Sequence, residues 1–491
     1  MQSLQISVVT ALLPQILMLG LAVIIAVLGV LRPAQRADLY RWIAVIALLA
    51  AIIAASILLW ALRGSANGVA LAQWNGGLVV DRFSLAIVIV ASMFALVCCL
   101  LLDTYLRRLG TRSAAFFAIV LLATAAVATL AAQREMMSLF AAFIVLLVAL
   151  SALPAVLKTD SGGVRVASAL LIEGGVAGAA LLYGSAIIYG VSGTTSYGSV
   201  SAAVQRGPAV VTLGGAFILF GLAFMLGLPP LRRWTERAVD DVPAVPVAFM
   251  TVMAMTGGAA ALLRADAAGL ESVLRPTLGV GTLAVVLTLL LSSGLALQER
   301  SLGRLIVIAG MGQAALLVLA VIGFGSGGVG EAPSAMLFAL LIFGLSSIAA
   351  FSVLAMLQAA GLAGTLDDLR GLGRRSPAAA VFLACALLTL AGVPPFGGFV
   401  ARFIVVISAF DSGYAWVAVI AIATSAITAI PLVRIVAGLW AEQGEEQPFT
   451  LFATPRLGRM VAGCCCLGAF YLTVLAQPLL VLARGGAGSV H

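Results

Sequence analysis

Three charged side chains stand inside long apolar runs: Glu173 within Leu171-Ile172-Glu173-Gly174-Gly175, Arg402 just after a proline pair, and Arg434. A charge at membrane depth costs several kcal/mol, so each such residue is a candidate for ion handling. Glu173 admits two readings. It is a proton-carrying carboxylate, or one half of a fixed Glu–Arg pair where small neighbours let helices approach. Arg402 is suited to holding a charge in place, because guanidinium stays protonated at any working pH. Arg434 falls near a span end, where an arginine snorkels to the surface. Lysine is the cation that burial most readily brings to titrate, yet the sole lysine, Lys158, falls in a loop. No lysine relay inside the membrane is available to this chain.

Other chemistries are missing from the residue list. The one histidine, His491, is the last residue, so a catalytic triad, bis-histidine haem and His-ligated zinc are excluded. Cys98, Cys99, Cys385 and Cys464 to Cys466 sit in apolar runs without Cys-x-x-Cys spacing and read as small apolar side chains, not metal ligands. Leu157 before Lys158 rules out a P-loop. The net charge of +8 is spread as single arginines and short clusters between apolar runs, which is how topology signals are distributed, not how a nucleic-acid stripe looks.

The elements that must carry these residues are membrane spans. With 63% hydrophobic and 9% charged residues, the 491-residue chain cannot cover a water-facing surface of its size. Apolar runs predict fourteen helices, near 12–31, 43–62, 83–102, 114–132, 137–157, 166–189, 209–228, 243–263, 277–297, 305–324, 335–357, 378–409, 416–439 and 460–482. The first is read as retained, since no basic n-region precedes it. Alternate loops hold eighteen basic residues, against seven on the other side, among them Arg134, Arg264 and Arg275. This asymmetry puts the richer side in the cytoplasm and both termini outside. The loop 440–458, with Glu442, Glu445 and Glu446, reads as a solvated connection.

Two spans are interrupted. Gly227-Leu228-Pro229-Pro230 ends span seven and Gly392-Val393-Pro394-Pro395 breaks span twelve. They lie five spans apart, so equivalent elements enter the membrane from opposite faces. That pattern is the trace of an inverted-repeat transporter with its ion site near the broken helices, and unrelated proline kinks are the plainer alternative.

Several segments resemble the antiporter-like subunits of respiratory complex I. Leu388 to Phe403 is similar to that family's "SLAGIPPxAGFxxKF", and Asp367-Asp368-Leu369-Arg370-Gly371-Leu372 to its "DLxGL" loop. Asp81-Arg82-Phe83-Ser84 resembles "DxFS" at the start of span three. Leu181 to Gly184, Ile188 to Gly190 and Gly193 to Thr195 look like the "LLYG…IYGxxGTT" stretch of the N-type subunit, and Trp234, Pro243 and Ala248 to Met250 its "W…P…AFM". The resemblance is collinear over roughly residues 75 to 440. It implies fourteen helices, three N-terminal ones (1–113) followed by two inverted five-helix repeats (114–263 and 277–439) and a C-terminal loop and helix (440–491).

The resemblance also implies a non-redox subunit of a proton-translocating NADH:quinone oxidoreductase in the bacterial inner membrane. Its partners would be the lipid bilayer and other membrane-arm subunits in a hetero-oligomer, with no cofactor in this chain and with flavin, iron–sulfur clusters and quinone on other subunits. The departures are as informative. Family proton-site positions fall here on Val148, Met225, Met255 and Gly303, its histidines on Arg232 and Gln313, and its span-twelve lysine on Arg402. The expectation is an intact scaffold whose conventional Lys/Glu proton channel is impaired or lost. Glu173, Arg402, Arg232, Gln313 and Arg434 remain as ion-path candidates if a path is rerouted. A scaffold or ion-translocating subunit of a related hydrogenase, cation/proton antiporter or carbon-uptake complex is the alternative.

Overall fold

The computed structural model describes residues 8–31, 37–62, 73–74, 77–101, 113–157, 161–203, 208–229, 233–325, 332–441, 463–464 and 467–468. The helices are α1 (Leu13–Leu31), α2 (Ala37–Ala61), α3 (Arg82–Leu101), α4 (Ser113–Ala132), α5 (Met136–Leu157), α6 (Ser161–Ser192) and α7a (Pro208–Met225). They continue as α7b (Arg233–Asp241), α8 (Ala244–Ala265), α9 (Leu278–Gln298), α10 (Leu302–Gly325), α11 (Ala332–Ala359), α12a (Pro377–Ala391), α12b (Gly397–Asp411) and α13 (Ala415–Gly438). Among the described residues, eleven helices are long and apolar enough to cross a membrane, and α7a and α12a are shorter apolar pieces. Thirteen of the expected spans thus coincide with helices. The fourteenth lies outside the described residues except for Gly463, Cys464, Leu467 and Gly468.

Burial grades inwards. The apolar windows of α8 and α11 are 94% buried, whereas that of α1 is 28% buried, so α8, α10 and α11 form the centre and the N-terminal helix a lipid-facing margin. Leucines and valines point outward on the margin because hydrocarbon is as good a solvent for them as the core.

Both proline motifs end a helix in the same way. Gly227 and Gly392 take left-handed backbone angles, φ 71° and 72°. Leu228 N–H donates to Ala223 O at 3.0 Å, and Val393 N–H to Leu388 O at 3.2 Å, closing matched C-terminal caps. The prolines then prevent continuation, and new half-helices, α7b and α12b, restart beyond them. Pro229 is half-buried and Pro394 and Pro395 are exposed, joined by a cis bond, while Pro230 lies outside the described residues.

The loops form two knitted sets. On one side Leu78 bridges Gln133 and Glu135 bridges Ser196. On the other Ser301 bridges Thr365, and Gly373 N–H donates to Leu439 O at 2.8 Å. This agrees with strict alternation of the spans. Arg264, counted among the loop charges, lies in the last turn of α8, 1% exposed, with both η nitrogens donating to Asp81 at 2.7 Å.

Candidate functional site

Arg402 sits on α12b with 9% exposure and reaches back across the break. Its two η nitrogens donate to the carbonyls of Ala391 and Leu390, the C-terminal oxygens that the break leaves without helical donors. A cation there also meets the negative end of the α12a dipole. Gly392 is required twice over, for its positive φ and because a Cβ would stand 2.6 Å from Arg402 Nη1. Gln313, on α10 and 2% exposed, donates Nε2–H to Leu390 O at 3.2 Å. Arg402 and Gln313, both singled out from sequence, are therefore brought together. Among the described residues no carboxylate pairs with Arg402, and its charge is held by backbone oxygens.

The first break is built from different side chains. Met225 (2% exposed) and Met255 (8%) line a cavity of about 50 Å³ with Met311, Trp234, Thr251 and Ser347. A thioether neither ionises nor donates a hydrogen bond, so the two family proton-site positions present only soft apolar surface to this space. Gly303, a third such position, does not reach the cavity. A Cβ there would lie 2.6 Å from Val239 Cγ1, so this spot is a close crossing of α10 with α7b. Val148, the fourth, is 48% exposed on the outer face of α5.

Glu173 is placed in the fixed-pair arrangement. It accepts from Arg237 Nη1 at 3.4 Å and from Trp234 N–H at 3.4 Å, which sets a carboxylate over the first turn of α7b. Neighbouring Gly174 lets α6 lie against α5: a Cβ there would come within 2.2 Å of Leu147 Cδ1. Glu173 is engaged with α7b and Arg402 with α12a, so these two candidates serve separate half-helices. Arg434 is exposed on α13 and joins neither. Arg232 lies outside the described residues.

Two features were not singled out by sequence reading. Arg237 stands ten residues after Gly227, as Arg402 stands ten after Gly392, so counting from the two glycines would have found it. The second feature is α7b itself. Asp240 takes Arg304 of α10 at 2.6 Å, and Asp241 takes Arg165 of α6 at 3.0 Å. Adjacent on this short helix, the two aspartates clamp opposite neighbours.

Comparison with known proteins agrees with this architecture. The family described as "NADH:quinone oxidoreductase/Mrp antiporter, TM" matches residues 133–428. NADH-quinone oxidoreductase subunit N 1 of Solidesulfovibrio magneticus is 31% identical over 451 residues, covering 89% of this chain and 92% of that protein. A chain of respiratory complex I from Thermus thermophilus superposes with a TM-score of 0.79 at 25% identity, covering 96% of this chain and 100% of the other. A chain of an archaeal membrane-bound sulfane sulfur reductase shares the fold with a TM-score of 0.86 at 21% identity, covering 99% and 98%.

Proposed function

Because this chain belongs to the NADH:quinone oxidoreductase/Mrp antiporter transmembrane family, we propose that it is the N-type antiporter-like subunit of an NADH:quinone oxidoreductase, retained as scaffold without the usual Lys/Glu proton channel. Its role in the enzyme is non-redox. Flavin, iron–sulfur clusters and quinone belong to other subunits, and the partners of this chain are the lipid bilayer and neighbouring membrane-arm subunits. The arginine-rich loops face the cytoplasm of a bacterial inner membrane, with both termini on the far side.

The proposed domain plan places residues 1–113 ahead of two inverted repeats, 114–263 and 277–439, with 440–491 last. The matched caps at Gly227 and Gly392 support it. So does helix order: α4 packs on α5 and α8 as α9 packs on α10 and α13.

The observation that carries the reading is the pair of contrasting breaks. At one, the cavity beside Met225 and Met255 has no titratable side chain in its lining; at the other, Arg402 is tied to carbonyls by a group that does not give up its proton. Gentle purification from native membranes, with mass spectrometry and an NADH:quinone assay on the same fraction, tests the assignment. Recovery with iron–sulfur and flavin subunits and that activity is the expected result. Recovery without them overturns it.

A further inference from the structure

Beside the Arg402 break lies a second, smaller pocket of about 10 Å³, lined by Ser292, Gln313, Arg402, Thr424, Ser425 and Thr428 among others. Two buried polar atoms there have no partner: Arg402 Nε and Gln313 Oε1. The orientation of the Gln313 amide follows from its neighbours. Leu390 O can only accept, so the NH₂ of Gln313 must face it, and the oxygen is turned away. Three of the four hydroxyls are committed as donors: Ser292 to Leu289 O at 3.0 Å, Thr424 to Ile420 O at 2.7 Å and Thr428 to Thr424 O at 2.9 Å. What remains for the pocket is the charged Arg402 Nε–H, the Ser425 hydroxyl and several oxygen lone pairs.

That set selects its occupant. An anion needs several donors and would meet few, among repelling oxygens. A cation would find acceptors but also a permanent positive charge that no carboxylate in the described residues offsets. A neutral water accepts from Arg402 Nε–H and donates to Gln313 Oε1 and one hydroxyl oxygen, which satisfies both unpartnered atoms. The volume is that of about one water.

We propose that this pocket is a one-water site in which Arg402 acts as a fixed positive charge, admitting neutral water and excluding cations from the second broken helix. The water is trapped and is not a link in a conducting chain. This rests on the reading of a scaffold without a proton channel, and it supplies the physical block: guanidinium charge at a constriction repels cations without interrupting hydration.

The test is electron cryomicroscopy of the complex purified from its own membranes, at a resolution that shows ordered water, in chloride buffer and in chloride-free gluconate buffer. One isolated peak within hydrogen-bond distance of Arg402 Nε and Gln313 Oε1 is expected in both buffers, and its loss in Gln313→Leu. An empty pocket in the unmodified protein overturns the proposal. A peak seen only with chloride makes it an anion site, and a continuous file of peaks through the break makes it a wire; either result also overturns it. If the chain purifies without redox subunits, the assignment to the oxidoreductase fails, while the density in this pocket still decides the water site.

Discussion

Asp81 and Arg264 show how a charge inside an apolar bundle becomes structural. Asp81 is fully buried, caps α3 through Ser84 N–H at 2.8 Å, and receives both η nitrogens of Arg264 at 2.7 Å. Arg264 Nε also donates to Ala131 O at 2.7 Å, and its guanidinium lies 5.1 Å from the Phe83 ring centre. One side chain therefore ties together the ends of α3, α4 and α8. Removing a single partner strands a buried charge, so Asp81→Ala is expected to cost about 3–5 kcal/mol, seen as a lower thermal midpoint of the detergent-solubilised protein. Replacing both, Asp81→Leu with Arg264→Met, should recover most of the loss. A double variant no better than the single one would mean that the cap and not the charge matters.

Gly303 offers a second residue-scale check. The space its hydrogen occupies is the α10–α7b crossing, so Gly303→Ala should destabilise by about 1–3 kcal/mol through overpacking against Val239. Adding Val239→Ala should relieve the strain, as read in the same thermal midpoint.

These two residues also mark where sequence reading stops. Glycine at 303 is visible as a missing lysine, but the crossing that forbids a side chain depends on α7b, whose helix is not legible in Arg233–Asp241. Arg264 looked like a loop residue because it follows an apolar run. In the fold, the chain continues past it through a π turn, Asp266–Leu270, so the end of α8 stays buried.

At the scale of elements, α7b and α12b are register partners with different fates. The apolar α12b extends for 15 residues with one face buried and Phe399, Phe403, Ile407 and Phe410 exposed on the other, and its arginine turns back on the break. The charged α7b stops after 9 residues and spends Arg237, Asp240 and Asp241 on outside neighbours. Only Trp234, Thr235 and Ala238 of α7b are buried. Exposed ion pairs contribute little singly, but three on one short helix fix its position between α6 and α10. Asp240→Asn with Asp241→Asn should speed amide exchange in α7b, more at low salt, where the lost pairs count most, and leave α12b unchanged. Equal protection in variant and parent would show that packing of Trp234 alone holds the helix. The helix breaks themselves were readable from Gly-x-Pro-Pro; α7b was not, because nine residues span too few turns to show a distinctive period.

For the whole molecule, the apolar runs carried most of the architecture, since crossing a bilayer leaves the backbone little choice but helix. Their order around the centre was not readable, because α8, α10 and α11 are no more apolar than the margin and only packing distinguishes them. The two halves end up chemically unlike. The first contributes Met225 and Met255 to a methionine-lined space against α10 and α11 and ties Glu173 to a helix end; the second encloses a small polar pocket under a fixed guanidinium.

The central claim is that no proton path runs through this subunit. It is tested most directly by the number of protons translocated per two electrons in the purified, reconstituted complex, with the unmodified chain and with Glu173→Gln. Glu173 is the carboxylate that lies within an apolar span beside the first break, and Gln preserves its acceptor to Trp234 N–H and Arg237. The account predicts the same ratio, with any change confined to stability. A lower ratio at unchanged NADH:quinone turnover would contradict it and make Glu173 part of a working channel.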